Sequence, residues 1–314
     1  MAEDQIGTAL APALVSACES RISPIRWFRT DWQAGGAVTG FTTYKTDDEV
    51  ERPAVVKFPV PPQELQWLRR LQPDQHEHGQ IVPQLFASGE ALAGYDLAWV
   101  IMQQLEHGPL DGQWHGAEFD LLVNVAGRFY AAAELHPATG EPRREPWADF
   151  LKRARQAVRD NGWPEAQRWN VALKAFQKKL KKLMKVWDER DTAHWCHGDL
   201  HLGNAMTCHP APEGPAFLFD LARIHIGHWI EDAVYFEHLF WSQPQRLGDR
   251  DIVKLISNER KQRGLRAEPN WPRLANIRRA LVAAVAPADP MRAAHPHHLH
   301  ASLEKLEHLL TAVN

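Results

Sequence analysis

Apolar positions along this chain change period from one third to the next. Residues 1–20 read as a helix. From Ile25 to Tyr44 the pattern is strand-like, in the runs "IRWFRTDW" and "VTGFTTYK", separated by "QAGG". A third run, "PAVVKFPV", carries Lys57. Pro61 and Pro62 then open "PPQELQWLRRL", where Leu65, Leu68 and Leu71 recur at helical spacing. Two more β-rich runs follow, "IVPQLFASGE" and "LAWVIMQQL". Beyond the Gly/Pro-bearing connector "EHGPLDG" (106–112) the pattern turns helical. Residues 118–136 form one apolar helix, and "WNVALKAFQKKLKKLMKVWDE" sets Leu173, Phe176, Leu180, Leu183 and Trp187 on one face. A short apolar strand, "AFLFD", interrupts the helices, and the last of them carries Leu299, Leu303, Leu306 and Leu310 as an inward stripe. The organisation predicted is a β-rich N-lobe (1–105), a hinge (106–112) and a larger, mainly helical C-lobe (113–314).

Composition narrows this outline only modestly. With 36 basic against 39 acidic side chains in 314 residues, nothing points to nucleic acid or an anionic membrane as partner. The six lysines between Lys174 and Lys185 read as the solvated face of their helix, and most of the thirteen tryptophans as core. Cys18, Cys196 and Cys208 make no disulfide framework, which fits a reducing compartment. The first twenty residues lack a basic start, and no apolar run spans a bilayer, so the expected location is cytoplasmic. The expected state is a monomer or homodimer.

The chemistry concentrates in "HWCHGDLHLGN", residues 194–204. Its histidines, aspartate and asparagine suit either a bound metal or phosphoryl transfer. Asp199 precedes Asn204 by five positions, the interval that the protein-kinase catalytic loop uses for its base and a metal-binding asparagine. A short loop can aim a carboxylate at an acceptor hydroxyl and an amide oxygen at the cation on the phosphates. Sixteen residues after Asn204, Asp220 ends the apolar strand. Magnesium prefers oxygen ligands, which Asn204, Asp220 and a nucleotide supply and three imidazoles do not.

"HGDLHLGN" followed by "FLFDLA" resembles the loop and metal-aspartate motifs of the aminoglycoside phosphotransferase-like family, small-molecule kinases with a protein-kinase-like fold. The resemblance spans roughly residues 55–240. It implies an α+β, two-lobed fold, with Asp199 as catalytic base, Asn204 and Asp220 as Mg²⁺ ligands, and His197 bracing the loop. It also implies a nucleotide, ATP or GTP, and a small-molecule hydroxyl as partners. In the small lobe, Lys57 is the cation for the phosphates. Glu64 falls on the same helix face as Leu68 and Leu71, where an unpaired carboxylate would be costly, so Lys57 is its predicted partner. Gly35 and Gly36 offer a backbone cradle for phosphate, although G-x-G-x-x-G is absent. Backbone groups near Gln104 and Leu105 are the expected adenine contacts. Asp232 resembles the structural aspartate that follows this motif in the family; with His201, Trp229 and Trp241 it also stands as a candidate on the substrate side.

From Glu237 onward eight acidic residues face twelve basic ones, which argues against a polycationic acceptor and towards a neutral sugar, a nucleoside-like molecule or an acid. The cluster "HPHHLH" (295–300) reads as a solvated helix entrance. Two other classes stay open. His197, Asp199 and His201 form an H-x-D-x-H set that could hold zinc in a metallohydrolase, and a kinase fold could serve binding alone. The first leaves Asn204, Lys57 and Glu64 without work; the second requires lost machinery, yet the full set is present.

Overall fold

The computed structural model describes residues 2–28, 37–72, 78–112, 115–266 and 268–312, with side chains from Ile6 onward. Gly35 and Gly36, the expected phosphate cradle, lie outside the described residues. Contacts divide the chain into two compact units, one of residues 1–132 and 201–224, the other of residues 133–200 and 225–314.

The first unit is built on a five-stranded antiparallel sheet in the order β1-β2-β3-β5-β4, from β1 (Arg26–Phe28), β2 (Val38–Lys45), β3 (Glu51–Phe58), β4 (Leu85–Gly89) and β5 (Trp99–Gln103). Alternation along β3 decides what each face carries. Ala54, Val56 and Phe58 are fully buried and join Leu14 of helix α1 (Ala2–Ala17), and Cys18 just after it, in one apolar cluster. Val55 and Lys57 project from the opposite face. Register pairs Lys57 with Thr39 on one side and Val100 on the other, so the lysine sits mid-sheet.

Helix α2 (Pro62–Leu71) follows at once, with a proline at its first position, where a missing N–H costs nothing. It buries Leu65, Trp67, Leu68, Leu71 and Glu64. Trp67 meets Phe129 of helix α3 (Ala117–Glu134) with ring centroids 6.3 Å apart. Two short strands, β7 (Ala205–Thr207) and β8 (Ala216–Leu218), form an antiparallel hairpin in this unit. Arg128 of α3, 6% exposed, anchors β8 through the Ala216 carbonyl at 2.8 Å and also donates to the Gln80 carbonyl.

The second unit is mainly helical: α4 (Trp147–Asp160), α5 (Ala166–Asp188), α6 (Ile230–His238), α7 (Ile252–Gln262), α8 (Trp271–Val285), the short α9 (Pro290–Ala293) and α10 (Pro296–Ala312). Strands β6 (His194–Cys196) and β9 (His225–Gly227) pair within it. Of the predicted α5 stripe, Leu173, Phe176, Leu183 and Trp187 are buried and Leu180 is half-buried; the lysines opposite are mostly exposed. Along α10, Leu299, Leu303 and Leu306 are buried as predicted, but the last buried leucine is Leu309, and Leu310 is half-buried. Helix α4 was not singled out in the apolar pattern, although Trp147, Leu151, Ala154 and Val158 are its buried positions. Among the described residues no helix is long and apolar enough to cross a membrane.

Candidate active site

In the first unit, Lys57 Nζ donates to Glu64 Oε1 at 2.7 Å. The lysine side chain is 19% exposed and the carboxylate 5%. Such a pair persists because either charge alone would be unsupported in that setting. Glu64 sits in the first turn of α2, where the helix dipole favours a negative charge.

The hairpin explains the sixteen-residue interval between Asn204 and Asp220. Ala205 pairs with Leu218, so Asn204 and Phe219 face each other just beyond the strands, and the Phe219 N–H donates to the Asn204 carbonyl at 2.9 Å. Asn204 and Asp220 therefore emerge at the same end of one hairpin. Asp220 adopts a left-handed conformation (φ 53°, ψ 61°), sparsely populated by residues other than glycine. Its carboxylate is exposed and has no side-chain or backbone partner among the described residues. The 3₁₀ turn that follows, Leu221–Arg223, packs on α2, and Gln63 of α2 donates to the Ile224 carbonyl. The helix that supplies Glu64 is thus also the support of the Asp220 turn.

The connector is tied to the same hairpin. His107 and Thr207 exchange backbone hydrogen bonds at 3.1 and 2.7 Å, and the Leu110 N–H reaches the Leu202 and Ala205 carbonyls. Gln104 donates its N–H to the Pro53 carbonyl at 3.1 Å, which leaves that group engaged in the sheet; Leu105 is buried. His201 is half-buried, and its Nδ1 accepts from the Gly203 N–H at 3.0 Å. A Cβ at Gly203 would lie within 3.0 Å of His201 and Asp111 side-chain atoms, so the turn needs glycine.

In the second unit, β6 delivers the stretch His197–Gly198–Asp199. Asp232, 1% exposed on the first turn of α6, accepts the His197 N–H at 2.7 Å on Oδ2 and the Gly198 N–H at 2.8 Å on Oδ1. Gly198 has φ 80°, a value that favours glycine. His197 is fully buried, and its Nδ1 accepts from the Asp199 N–H at 3.3 Å. The Asp199 carboxylate accepts a hydrogen bond from the Tyr235 hydroxyl at 2.5 Å. Tyr235 was missed in the sequence. Its signal is the three-residue step from Asp232, which puts both side chains on one helix face.

Asp232 is spent on the loop backbone, so it acts on the loop rather than on a substrate. Trp229 is fully buried, stacked on His228 at 5.5 Å and tilted against Trp271 at 6.0 Å, with no open face for a sugar ring. Trp241 is 8% exposed, donates from Nε1 to Glu237 Oε1 at 3.0 Å, and lines a cavity of about 600 Å³ with Phe240, Arg250, Arg279 and Lys305. Cys196 is fully buried, and burial, with Asp232 and Glu231 nearby, pushes its thiol well above the ordinary value, so it is inert.

The imidazoles of His197 and His201 are each engaged by a backbone N–H of their own turn. Among the described residues, the group of three or more His, Cys, Asp or Glu donors close enough to share an ion lies elsewhere, at Asp191, His194 and Glu268. The H-x-D-x-H zinc reading therefore has no support in the geometry.

A sequence model of the phosphotransferase enzyme family matches residues 32–277. The chain belongs to that family. No curated protein matches it in sequence. Solved structures share its fold at low identity. One is a putative aminoglycoside phosphotransferase from Ralstonia eutropha, with TM-score 0.61 and 14% identity, over 96% of this chain and 98% of that one. Another is a microcompartment-associated aminopropanol kinase, with TM-score 0.61 and 15% identity, over 98% of each chain. A third is a thermostable mutant of the aminoglycoside phosphotransferase APH(4)-Ia, in ternary complex with AMP-PNP and hygromycin B. It aligns at TM-score 0.53 and 13% identity over 97% of this chain and 98% of that one. The phosphotransferase-family chain thus has the two-lobed α+β, kinase-like fold, and phosphoryl transfer to a small molecule is the general activity its family supports.

Proposed function

We propose that this phosphotransferase moves the γ-phosphoryl group of ATP to a hydroxyl of a small molecule, with Asp199 as base. The observation that carries the reading is the hairpin: it sets Asn204 and Asp220 at one end, on the same unit that supplies the Lys57–Glu64 pair.

Magnesium fits this donor set, because Asp220 offers an exposed, otherwise unpartnered carboxylate and Asn204 an amide oxygen, both hard ligands. When bound with nucleotide, the ion would neutralise charge on the phosphate oxygens. Lys57, fixed by Glu64, directs its ammonium to the same phosphates and is pre-oriented before nucleotide arrives. Asp199 orients the acceptor hydroxyl and receives its proton, assistance typically worth about 10²–10⁴-fold in rate. The Tyr235 hydroxyl donates to Oδ1 and so orients the carboxylate. Asp232 fixes the backbone from which Asp199 projects.

The solved relatives name aminoglycosides, an aminopropanol and hygromycin B, which are amino alcohols and amino sugars. The surplus of basic residues beyond Glu237 argues for an acceptor carrying little positive charge. A sugar, a nucleoside or an amino alcohol of low charge is the acceptor class we favour. A panel of sugars, amino alcohols, nucleosides and antibiotics, with ADP release followed for each, tests the reading. At least one acceptor should raise ADP release above the rate with water, and Asp199→Ala should abolish the increase. Nucleotide binding without acceptor-dependent release across the panel would favour a binding protein instead.

A further inference from the structure

His194 opens β6, three residues ahead of the proposed catalytic loop, and its imidazole lies among acidic side chains that the proposed reaction does not use. Its side chain is 9% exposed, and neither Nδ1 nor Nε2 has a hydrogen-bond partner. An unpartnered buried imidazole is costly, and its surroundings are acidic. Nε2 lies 3.5 Å from Asp191 Oδ2 and 3.9 Å from Glu268 Oε1, while Nδ1 lies 3.5 Å from Glu134 Oε1. Glu268 Oε1 is likewise buried without a hydrogen bond. The other oxygen of Glu268 is held at 3.0 Å by His228 Nε2. His228 Nδ1 accepts from the Ile230 N–H, so Nε2 carries the proton and donates. This fixes the carboxylate with its unpaired oxygen turned to His194.

We propose that Asp191, His194 and Glu268 bind a divalent transition-metal ion of the zinc class, through Oδ2, Nε2 and Oε1, with His228 orienting Glu268 from behind.

The three ligand atoms lie within 4.8 Å of one another. Tetrahedral coordination at zinc's usual bond lengths asks for about 3.3 Å between ligand atoms, so the separations need to shorten by at most about 1.5 Å. One imidazole with two carboxylates suits zinc or its first-row neighbours and not magnesium, which takes oxygen alone. A carboxylate fixed by a second imidazole is the kind of outer contact that tunes such sites. Charge also fits. Among the described residues, the guanidinium near this acidic group is that of Arg260, whose Nη2 is 3.8 Å from Glu134 Oε1. The two imidazoles add nothing when neutral, so a divalent cation balances the cluster. Burial, reinforced by Arg260, lowers the His194 pKa, which keeps the ring in the neutral, ligating form. Asp191 lies in the turn after α5, His194 on β6 and Glu268 just ahead of α8, so an ion would tie three separate segments together. One of them leads directly into the loop of Asp199.

Protein stripped with chelator and titrated with Zn²⁺ by calorimetry tests this, with Co²⁺ as a spectroscopic probe. Neither readout requires kinase activity, so failure of the proposed reaction and failure of this site are distinguishable. The expected result is about one ion per chain and, at a hundredfold excess over Kd, a thermal midpoint raised by about 5 °C. Asp191→Asn and Glu268→Gln are near-isosteric, and each should weaken binding by about 10–100-fold or more, with His228→Gln in the same range. The visible Co²⁺ bands should fade with them. A triple variant, His295→Gln with His297→Gln and His300→Gln, controls for the histidine-rich start of α10 and should bind as the wild type does. No ion bound, or binding lost in the triple variant but kept in Asp191→Asn and Glu268→Gln, overturns the proposal.

Discussion

Replacing Asp232 by alanine removes both acceptors that hold the backbone ahead of Asp199. The carboxylate is 1% exposed and takes N–H groups at 2.7 and 2.8 Å. A hydrogen bond to a charged group contributes about 1.5–3 kcal/mol, so the two together hold about 3–6 kcal/mol. The cost is not recovered elsewhere, because His197 is fully buried and its N–H would have neither partner nor water. Against a typical total stability of about 5–15 kcal/mol, this is a large fraction. Asp232→Asn keeps one oxygen acceptor and should cost roughly half as much. Urea unfolding followed by tryptophan fluorescence measures the loss, and acceptor-dependent ADP release at a temperature where the variant remains folded measures the effect on turnover. The expected order is wild type, then asparagine, then alanine, in both. An alanine variant within about 1 kcal/mol of wild type, with turnover intact, would refute the claim that Asp232 anchors the loop.

Three further outcomes follow from the same geometry. Lys57→Met leaves the buried Glu64 carboxylate unpaired and should destabilise by about 3–5 kcal/mol, whereas Lys57→Met combined with Glu64→Leu should regain much of that stability without regaining activity; thermal unfolding and ADP release separate the two. Tyr235→Phe removes one hydrogen bond to Asp199 and should lower kcat by up to about tenfold with the KM for ATP unchanged, as steady-state kinetics would show. Acidification should destabilise the fold from pH 6.5 downward: burial, then Arg292, lowers His238 well below its ordinary value and brings His298 to about 4. Both groups have a folded pKa below the unfolded one, so their contribution is complete above pH 6.5 and is lost as pH falls, by at most about 1.4 kcal/mol per pH unit each. His298 stops contributing to the slope near pH 4, and urea midpoints measured across that range would show the decline.

The sheet strands were legible as short apolar-rich runs bounded by turn residues, and α2 because its leucines recur at helical spacing. The Lys57–Glu64 contact could be argued from burial cost alone; their role toward nucleotide could not. The β7–β8 hairpin was only half visible. β8 announces itself as "AFL", but β7 is three residues in a polar, proline-bearing stretch, too short for any period to appear. The interval from Asn204 to Asp220 therefore looked like spacing when it is register. Helix α4 had buried positions at helical spacing, but basic residues and Pro146 around them obscured the stripe. Trp229 and Trp241 look alike in sequence; contacts with His228 and Trp271 decide that the first is fully enclosed. The Asp191–His194–Glu268 group had no signal at all, since its third member is 74 residues beyond its second and only the fold brings it near.

The central claim is a division of labour between Asp199 and Asp220, and calorimetry of ATP binding in the presence of Mg²⁺ tests it most directly. Asp199→Ala should bind nucleotide nearly as the wild type does while losing turnover, and Asp220→Ala should bind it far more weakly. Equal loss of binding in both variants, or unchanged binding in Asp220→Ala, would contradict the account.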